Sequence, residues 1–192
     1  MRRRDLLTRS ASAVMAALAL TAGVPSLSWA NETRAGLSLQ TLQAHVDDDG
    51  AYLDYDIEVG LSDDLKNALQ RGVSVVFVAE ARLLEQRWYW TDRLRAQATR
   101  RWRVTYQPLT RQWRLSIGAF TRNYASLEET LDVLRRSTRW RIGDRPSGDA
   151  DQHYVDFGFR LDTKELPRPL QIGMGNQDTW DLELERQVQL RN

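Results

Sequence analysis

The stretch VSVVFVAEARLLEQRWYW, residues 73–90, decides how the chain is read. Val73, Val75, Phe77, Ala79, Ala81 and Leu83 recur at every second position, the spacing of a strand that buries one face. The parity then slips, and Trp88 and Trp90 fall on the opposite face from Val73 to Leu83. One extra residue near Leu83-Leu84, a β-bulge, would return both sets to the core. The rival reading turns residues 80–97 helical, with Leu83, Leu84, Arg87, Trp88 and Leu94 on one stripe. The strand is the preferred reading.

Strand signals extend outward from there. LSLQTLQAHV (37–46) and AYLDYDIEV (51–59) flank the acidic turn DDDG, whose Asp49-Gly50 pair is a hairpin signal. In the second arm Leu53, Tyr55, Ile57 and Val59 alternate with Asp54, Asp56 and Glu58, as in a sheet with one wet face. The stretch 100–118 reads as a hairpin. Trp102, Val104 and Tyr106 share a face in one arm, and Trp113, Leu115 and Ile117 in the other, with Pro108 in the turn. HYVDFGFRLD (153–162) alternates around Val155, Phe157, Phe159 and Leu161. LPRPLQIGM reads as an extended edge, and TWDLELERQVQL closes the chain as a strand with Trp180, Leu182 and Leu184 inside.

Two helices interrupt this pattern. LSDDLKNALQRG (61–72) has Ser62 to cap it, Asp63 and Asp64 in its first turn, and Gly72 to stop it. SLEETLDVLRRSTRW (126–140) opens on the capping box Ser126-x-x-Glu129 ahead of Leu127, Leu131 and Leu134. About eight strands and two short helices, without regular strand–helix alternation, predict a mainly β single domain. The expected architecture is an antiparallel β-sandwich or meander.

The ends and the composition bound the function. Residues 1–30 have a basic start, the small-sided apolar run ASAVMAALALTAGV, and small residues at Ser28 and Ala30. That is the pattern of a secretory signal peptide, leaving 31–192 as a single β-rich domain. Arg3-Arg4 ahead of Asp5-Leu6-Leu7 resembles the twin-arginine export motif, although ordinary export needs only the positive charge. The runner-up, an uncleaved signal anchor, would want a longer apolar stretch. The expected location is the periplasm, with no transmembrane span in the mature chain. Without residues 1–30, which hold four arginines and one aspartate, the net charge falls from +1 to −2. A near-neutral domain argues against a nucleic-acid partner. The absence of cysteine rules out a disulfide or a thiolate metal site.

No sequence pattern for catalysis, dinucleotide binding or a phosphate loop is present, and no cofactor or metal is expected. His45 and His153 sit near strand ends. An acid–base role with Asp151 or Asp156 is possible chemically, but a surface histidine is the preferred reading. DDDG reads as a turn, because the spaced acids of a calcium loop are missing after it.

The remaining signal is tryptophan beside arginine. Trp88, Trp90, Trp102, Trp113, Trp140 and Trp180 have twelve flanking positions, Tyr89 counting for two, and six are arginine: Arg87, Arg101, Arg103, Arg114, Arg139 and Arg141. Single-strand nucleic-acid binders interleave aromatics with cations, and sugar sites also present tryptophan faces. A strand with tryptophan inside and arginine outside gives the same spacing with no ligand at all. On that preferred reading Arg101, Arg103 and Arg114 face Asp54, Asp56, Glu58, Asp181, Glu183 or Glu185 across strands. If a binding surface exists, its candidates are Arg87, Trp88, Trp90, Arg101, Arg103 and Arg114.

The order of these pieces resembles the DUF4390 family over residues 37–190. Its most specific parts here are Y-x-x-L-T-x-x-W, Tyr106 to Trp113, and L-P-x-P-L, Leu166 to Leu170. Where the family pattern has Val-Pro after the first helix, this chain has Val73-Ser74. The resemblance implies an exported proteobacterial protein of unassigned function, in a gene neighbourhood shared with a membrane sensor kinase of the nitrogen-regulation type. It transfers no catalytic residue. The expectation is a non-enzymatic periplasmic accessory factor binding a membrane sensor or another envelope protein. The alternative is a small-molecule or glycan binder with an aromatic groove near residues 87–90.

Overall fold

A computed structural model describes residues 36–89, 91–166, 180 and 182–191. The elements run β1 (Gly36–Asp47), β2 (Gly50–Gly60), α1 (Asp63–Gln70), β3 (Val75–Glu85), β4 (Arg93–Gln107), β5 (Gln112–Ile117), β6 (Phe120–Tyr124), α2 (Leu127–Arg135), β7 (Arg136–Gly143), β8 (His153–Leu161) and β9 (Glu183–Arg191). The nine strands form one sheet in the order β6-β5-β4-β3-β8-β9-β1-β2-β7, curled into a half-barrel. The chain is therefore mainly β with two helices, as the sequence indicates. The run β3 to β6 follows meander order, whereas β8 and β9 come between β3 and β1. Every neighbouring pair is antiparallel except β1–β9, which is parallel at Ala44–Leu190 and His45–Arg191. The all-antiparallel expectation fails there. No described helix is long and apolar enough to cross a membrane.

The alternations seen in the sequence become the inner face. Val75, Phe77, Ala79, Ala81 and Leu83 of β3 are buried, as are Leu53, Tyr55, Ile57 and Val59 of β2 and Val155, Phe157, Phe159 and Leu161 of β8. Their rings meet in the middle, with Phe77 and Trp102 both packed on Phe159, at 6.0 and 6.1 Å, and Tyr55 on Phe157 at 4.9 Å. Both caps form as spaced. Ser62 Oγ accepts from the Leu65 N–H at 3.3 Å, and Ser126 Oγ from the Glu129 N–H at 3.1 Å. Glu129 reaches back to the Ala125 N–H at 3.1 Å. Leu65, Ala68 and Leu69 of α1 and Leu131 and Leu134 of α2 close one end of the core.

Four expectations need correction. Residues 126–140 are not one helix: α2 stops at Arg135 and Arg136 begins β7. Beyond Arg135, Thr138, Trp140 and Ile142 favour a pleated surface over a helix. Tertiary pairing decides the point: Ser137 faces Tyr55 and Trp140 faces Leu53 on β2. A bulge between them puts Arg139 at φ 49°, and its N–H donates to Asp54 Oδ1. The extra turn lets both Ser137 and Trp140 point inward. Second, β4 starts at Arg93 rather than at residue 100, so no helix is found among the described residues of 80–97. Third, β6 has no counterpart in the sequence reading. Fourth, His153 is not at the surface. It is wholly buried, with Nδ1 3.0 Å from the Asp149 carbonyl. The LPRPLQIGM reading, apart from Leu166, lies outside the described residues, as does the signal-peptide reading of residues 1–30. Trp180, Leu182 and Leu184 are buried as expected.

The curl brings β7 against the inner face of β4, where the two meet through side chains. Arg100 Nη1 donates to Ser137 Oγ at 2.8 Å, and its guanidinium lies 4.8 Å from the centre of the Trp140 ring. Gly143 abuts Ala96 so closely that a Cβ there would come within 2.3 Å of the alanine methyl. No backbone ladder joins these two strands among the described residues.

Candidate functional site

The bulge expected at Leu83-Leu84 exists, but it sits on the other strand. Leu83 pairs with Ala96 and Leu84 with Leu94, leaving Arg95 of β4 as the extra residue. The Arg95 guanidinium turns to Glu85 at 2.8 Å. Strand β3 then ends at Glu85, so the bulge cannot return Trp88 to the core. Trp88 is 92% exposed and Tyr89 67%, the reverse of the expectation that a bulge buries the aromatics of this stretch. Trp90 lies outside the described residues.

Residues 86–89 and 91–92 lie at the tip of the β3–β4 hairpin, and it is braced from below. The Gln86 N–H donates to the Gln152 carbonyl at 2.8 Å. Asp92 accepts from the Arg87 N–H at 3.1 Å on one oxygen and from the Tyr154 hydroxyl at 2.5 Å on the other. The Tyr154 hydroxyl, with help from the Arg87 N–H, holds the Asp92 carboxyl below its usual range. The same bond, reinforced by burial, pushes the Tyr154 hydroxyl up to about 12. Above this brace Trp88 and Tyr89 pack edge to face, 4.8 Å between ring centres. Leu94, which pairs with Leu84 near the start of β4, is half exposed as well.

The candidate residues do not gather into one site. Arg87 and Trp88 stand at the tip. Arg101 and Arg103 lie roughly 25–35 Å further along β4, at about 3.3 Å per residue, and Arg114 lies on β5 beside them, since Thr105 pairs with Arg114. Arg101 meets Asp162 at 2.8 Å and Glu165 at 3.3 Å, and Arg103 meets Glu165 at 3.2 Å. With the Gln107 amide turned so that its oxygen accepts, Arg114 donates to it at 2.9 Å. None of the acids expected from the sequence is used among the described residues. The β2 acids sit at the far end of the sheet order from β4, and Asp54 and Asp56 serve Arg139 and Arg136 there. Asp181 lies outside the described residues. The real partners come from the turn after β8, which sequence spacing alone does not bring near β4.

Tryptophan-in, arginine-out holds for the other stretches. Trp102, Trp113 and Trp140 are buried, while Arg101, Arg103, Arg114, Arg139 and Arg141 are exposed. Sequence spacing does not single out Arg100. It shares the inner parity of Trp102 and is half-buried at the β4–β7 contact, where desolvation lowers its affinity for a proton.

The two histidines lie on different strands, His45 on β1 and His153 at the start of β8. His45 Nδ1 lies 3.5 Å from Asp54 and its ring stacks on Tyr52, and among the described residues no serine or threonine hydroxyl bonds to either histidine. Asp47, Asp48 and Asp49 of the turn are answered by Arg139, Arg145 and Tyr52. A shallow trough of about 460 Å³ over Gly158 on the outer face of β3, β8 and β9 is lined by charged residues such as Glu80, Arg82 and Glu185. The hairpin tip does not line it.

The family model for a domain of unknown function, DUF4390, matches residues 34–189. No curated protein matches the chain, and no solved structure does. The match takes in every described strand except the last two residues of β9, so the chain belongs to the DUF4390 family.

Proposed function

We propose that this is an exported, non-enzymatic periplasmic domain that binds a partner protein through the β3–β4 hairpin tip, as an accessory factor to an envelope or sensor-kinase signalling system. The observation that carries the reading is the exposure of Trp88 (92%) and Tyr89 (67%) on a turn whose base is fixed by Asp92. The Gln86–Gln152 backbone bond, Asp92 and Tyr154 hold two large apolar rings in water, where nothing in the fold needs them. Trp and Tyr, with arginine alongside, are the side chains that dominate contact energies when a partner covers them, and a braced tip loses little freedom on docking. Export rests on the signal-peptide pattern of residues 1–30. The tip is a projection rather than a groove, which favours a protein pocket over the enclosure a small molecule needs.

A photo-crosslinking amino acid placed at Trp88, in cells expressing the protein at native level, should trap a discrete envelope protein. The same probe at Leu109, fully exposed on the β4–β5 turn at the other end of the strands, should not. Equal trapping at both sites, or none at Trp88, would sink the reading.

A further inference from the structure

Among the described residues strand β6 ends the sheet, and only β5 pairs with it. Four of its five residues are exposed and the fifth is half-buried. Half of its backbone N–H and C=O groups therefore turn to an open side, the arrangement that accepts another strand unless it is blocked. Phe120 is 83% exposed on the same face as Arg122 and Tyr124, and the Arg122 guanidinium lies 5.6 Å from the centre of the Tyr124 ring.

The charge around this edge is one-sided. Residues 93–124, from the start of β4 to the end of β6, are rich in arginine and contain no aspartate or glutamate. Glu85 answers Arg95, and Asp162 and Glu165 answer Arg101 and Arg103. Arg93, Arg100, Arg111, Arg114 and Arg122 make no ion pair among the described residues. A second copy fits poorly. Antiparallel pairing of β6 with itself about Arg122 would set Phe120 opposite Tyr124 and Arg122 opposite Arg122, and like charges directly opposite oppose pairing.

We propose that β6 is a strand-addition site for an extended, acidic segment of a partner protein. Its register places an Asp or Glu opposite Arg122 and apolar residues two positions to either side, over Phe120 and Tyr124. Backbone bonds supply affinity and the three-residue face supplies choice, as in other strand-addition contacts. This contact is on a different strand from the hairpin tip and stands or falls without it.

The test uses the purified domain and a capped fluorescent peptide, Thr-Val-Thr-Glu-Thr-Val-Thr, at about 150 mM salt, where long-range attraction is screened. Anisotropy should show saturable binding. Arg122→Glu should weaken that peptide by roughly five- to tenfold, because attraction is replaced by repulsion, and should favour a version with Lys in place of Glu. Arg122 is exposed, so the variant's unfolding midpoint should match the parent, which separates lost binding from lost fold. The proposal is overturned by absent saturation at millimolar peptide, or by equal binding of a version whose valines are prolines, which would mean charge alone. A photo-crosslink from Thr121 to residues 167–181 of the same chain, or a dimer abolished by Arg122→Glu, would equally overturn it.

Discussion

One strand pair, β3–β4, carries two stretches that look alike in sequence and meet opposite ends. RRWRV around Trp102 and QRWYW around Trp88 both set arginine against tryptophan. Trp102 is 2% exposed and packs on Phe159, whereas Trp88 is 92% exposed. The difference is not composition but the ladder. At Trp102 the chain is paired on both sides, with Phe77 and Ile117, so parity fixes which way each side chain points. At Trp88 the ladder has ended, and with it the rule that alternate residues face the core. In a strand-like sequence, alternation therefore places a tryptophan in the core only while a backbone ladder enforces the register, as the β2 ladder does for Trp140.

That contrast can be broken most forcefully at its two tryptophans. Trp102→Ala should cost about 3–5 kcal/mol by chemical denaturation, since it leaves a void beside Phe159. Trp88→Ala should shift stability by no more than ~0.5 kcal/mol, because its ring buries almost nothing in the fold. Equal effects would show that the tip is packed in solution.

A smaller effect is expected at Arg100, which joins the inner face of β4 to β7. Arg100→Ala should cost about 1–2 kcal/mol, through the bond to Ser137 and the contact with the Trp140 ring. Combining it with Ser137→Ala should give less than the sum of the two single losses, because the partners share one interaction.

The mildest probe sharpens the tip itself through pH. Asp92 is depressed, so its contribution is complete above the ordinary carboxylate value of 3.8 and fades as pH falls through its lower folded value. Tyr154 is raised from 10.0 to about 12, so its contribution is complete below 10.0 and is lost as pH climbs towards about 12. Ultraviolet titration of the parent against Tyr154→Phe should isolate a tyrosine ionising near that upper value. A difference spectrum centred near 10.0 would mean the brace does not form.

How much of this is legible in the sequence depends on the same physics. The inner faces of β2, β3 and β8 can be read because each carries a long run of apolar residues at every second position, although Val76 and Val78 of β3 are buried on its other face as well. The two serine caps can be read because capping is local. The boundary at Arg135 cannot, since helix and strand meet there without a glycine or proline, and the choice is made by Tyr55 and Leu53, distant in the chain. Strand β6 has too few buried residues to show a period. At the site, spacing points to Arg87 and Trp88, but Asp92 and Tyr154, which hold the tip, are brought together only by the β3–β8 pairing. Arg100 hides beside Arg101 because composition does not say which of two adjacent arginines faces inward.

The contact between β4 and β7 has a mechanical meaning. Elsewhere in the described sheet, parting two neighbours means breaking backbone bonds, from two paired positions at β1–β9 to long rows at the other joins. Between Arg100 and Ser137, and between Ala96 and Gly143, only side chains must let go. When the domain breathes, the split should therefore start at this join, with β7 swinging on its ladder to β2 like a door on its hinge and Arg100 acting as the catch.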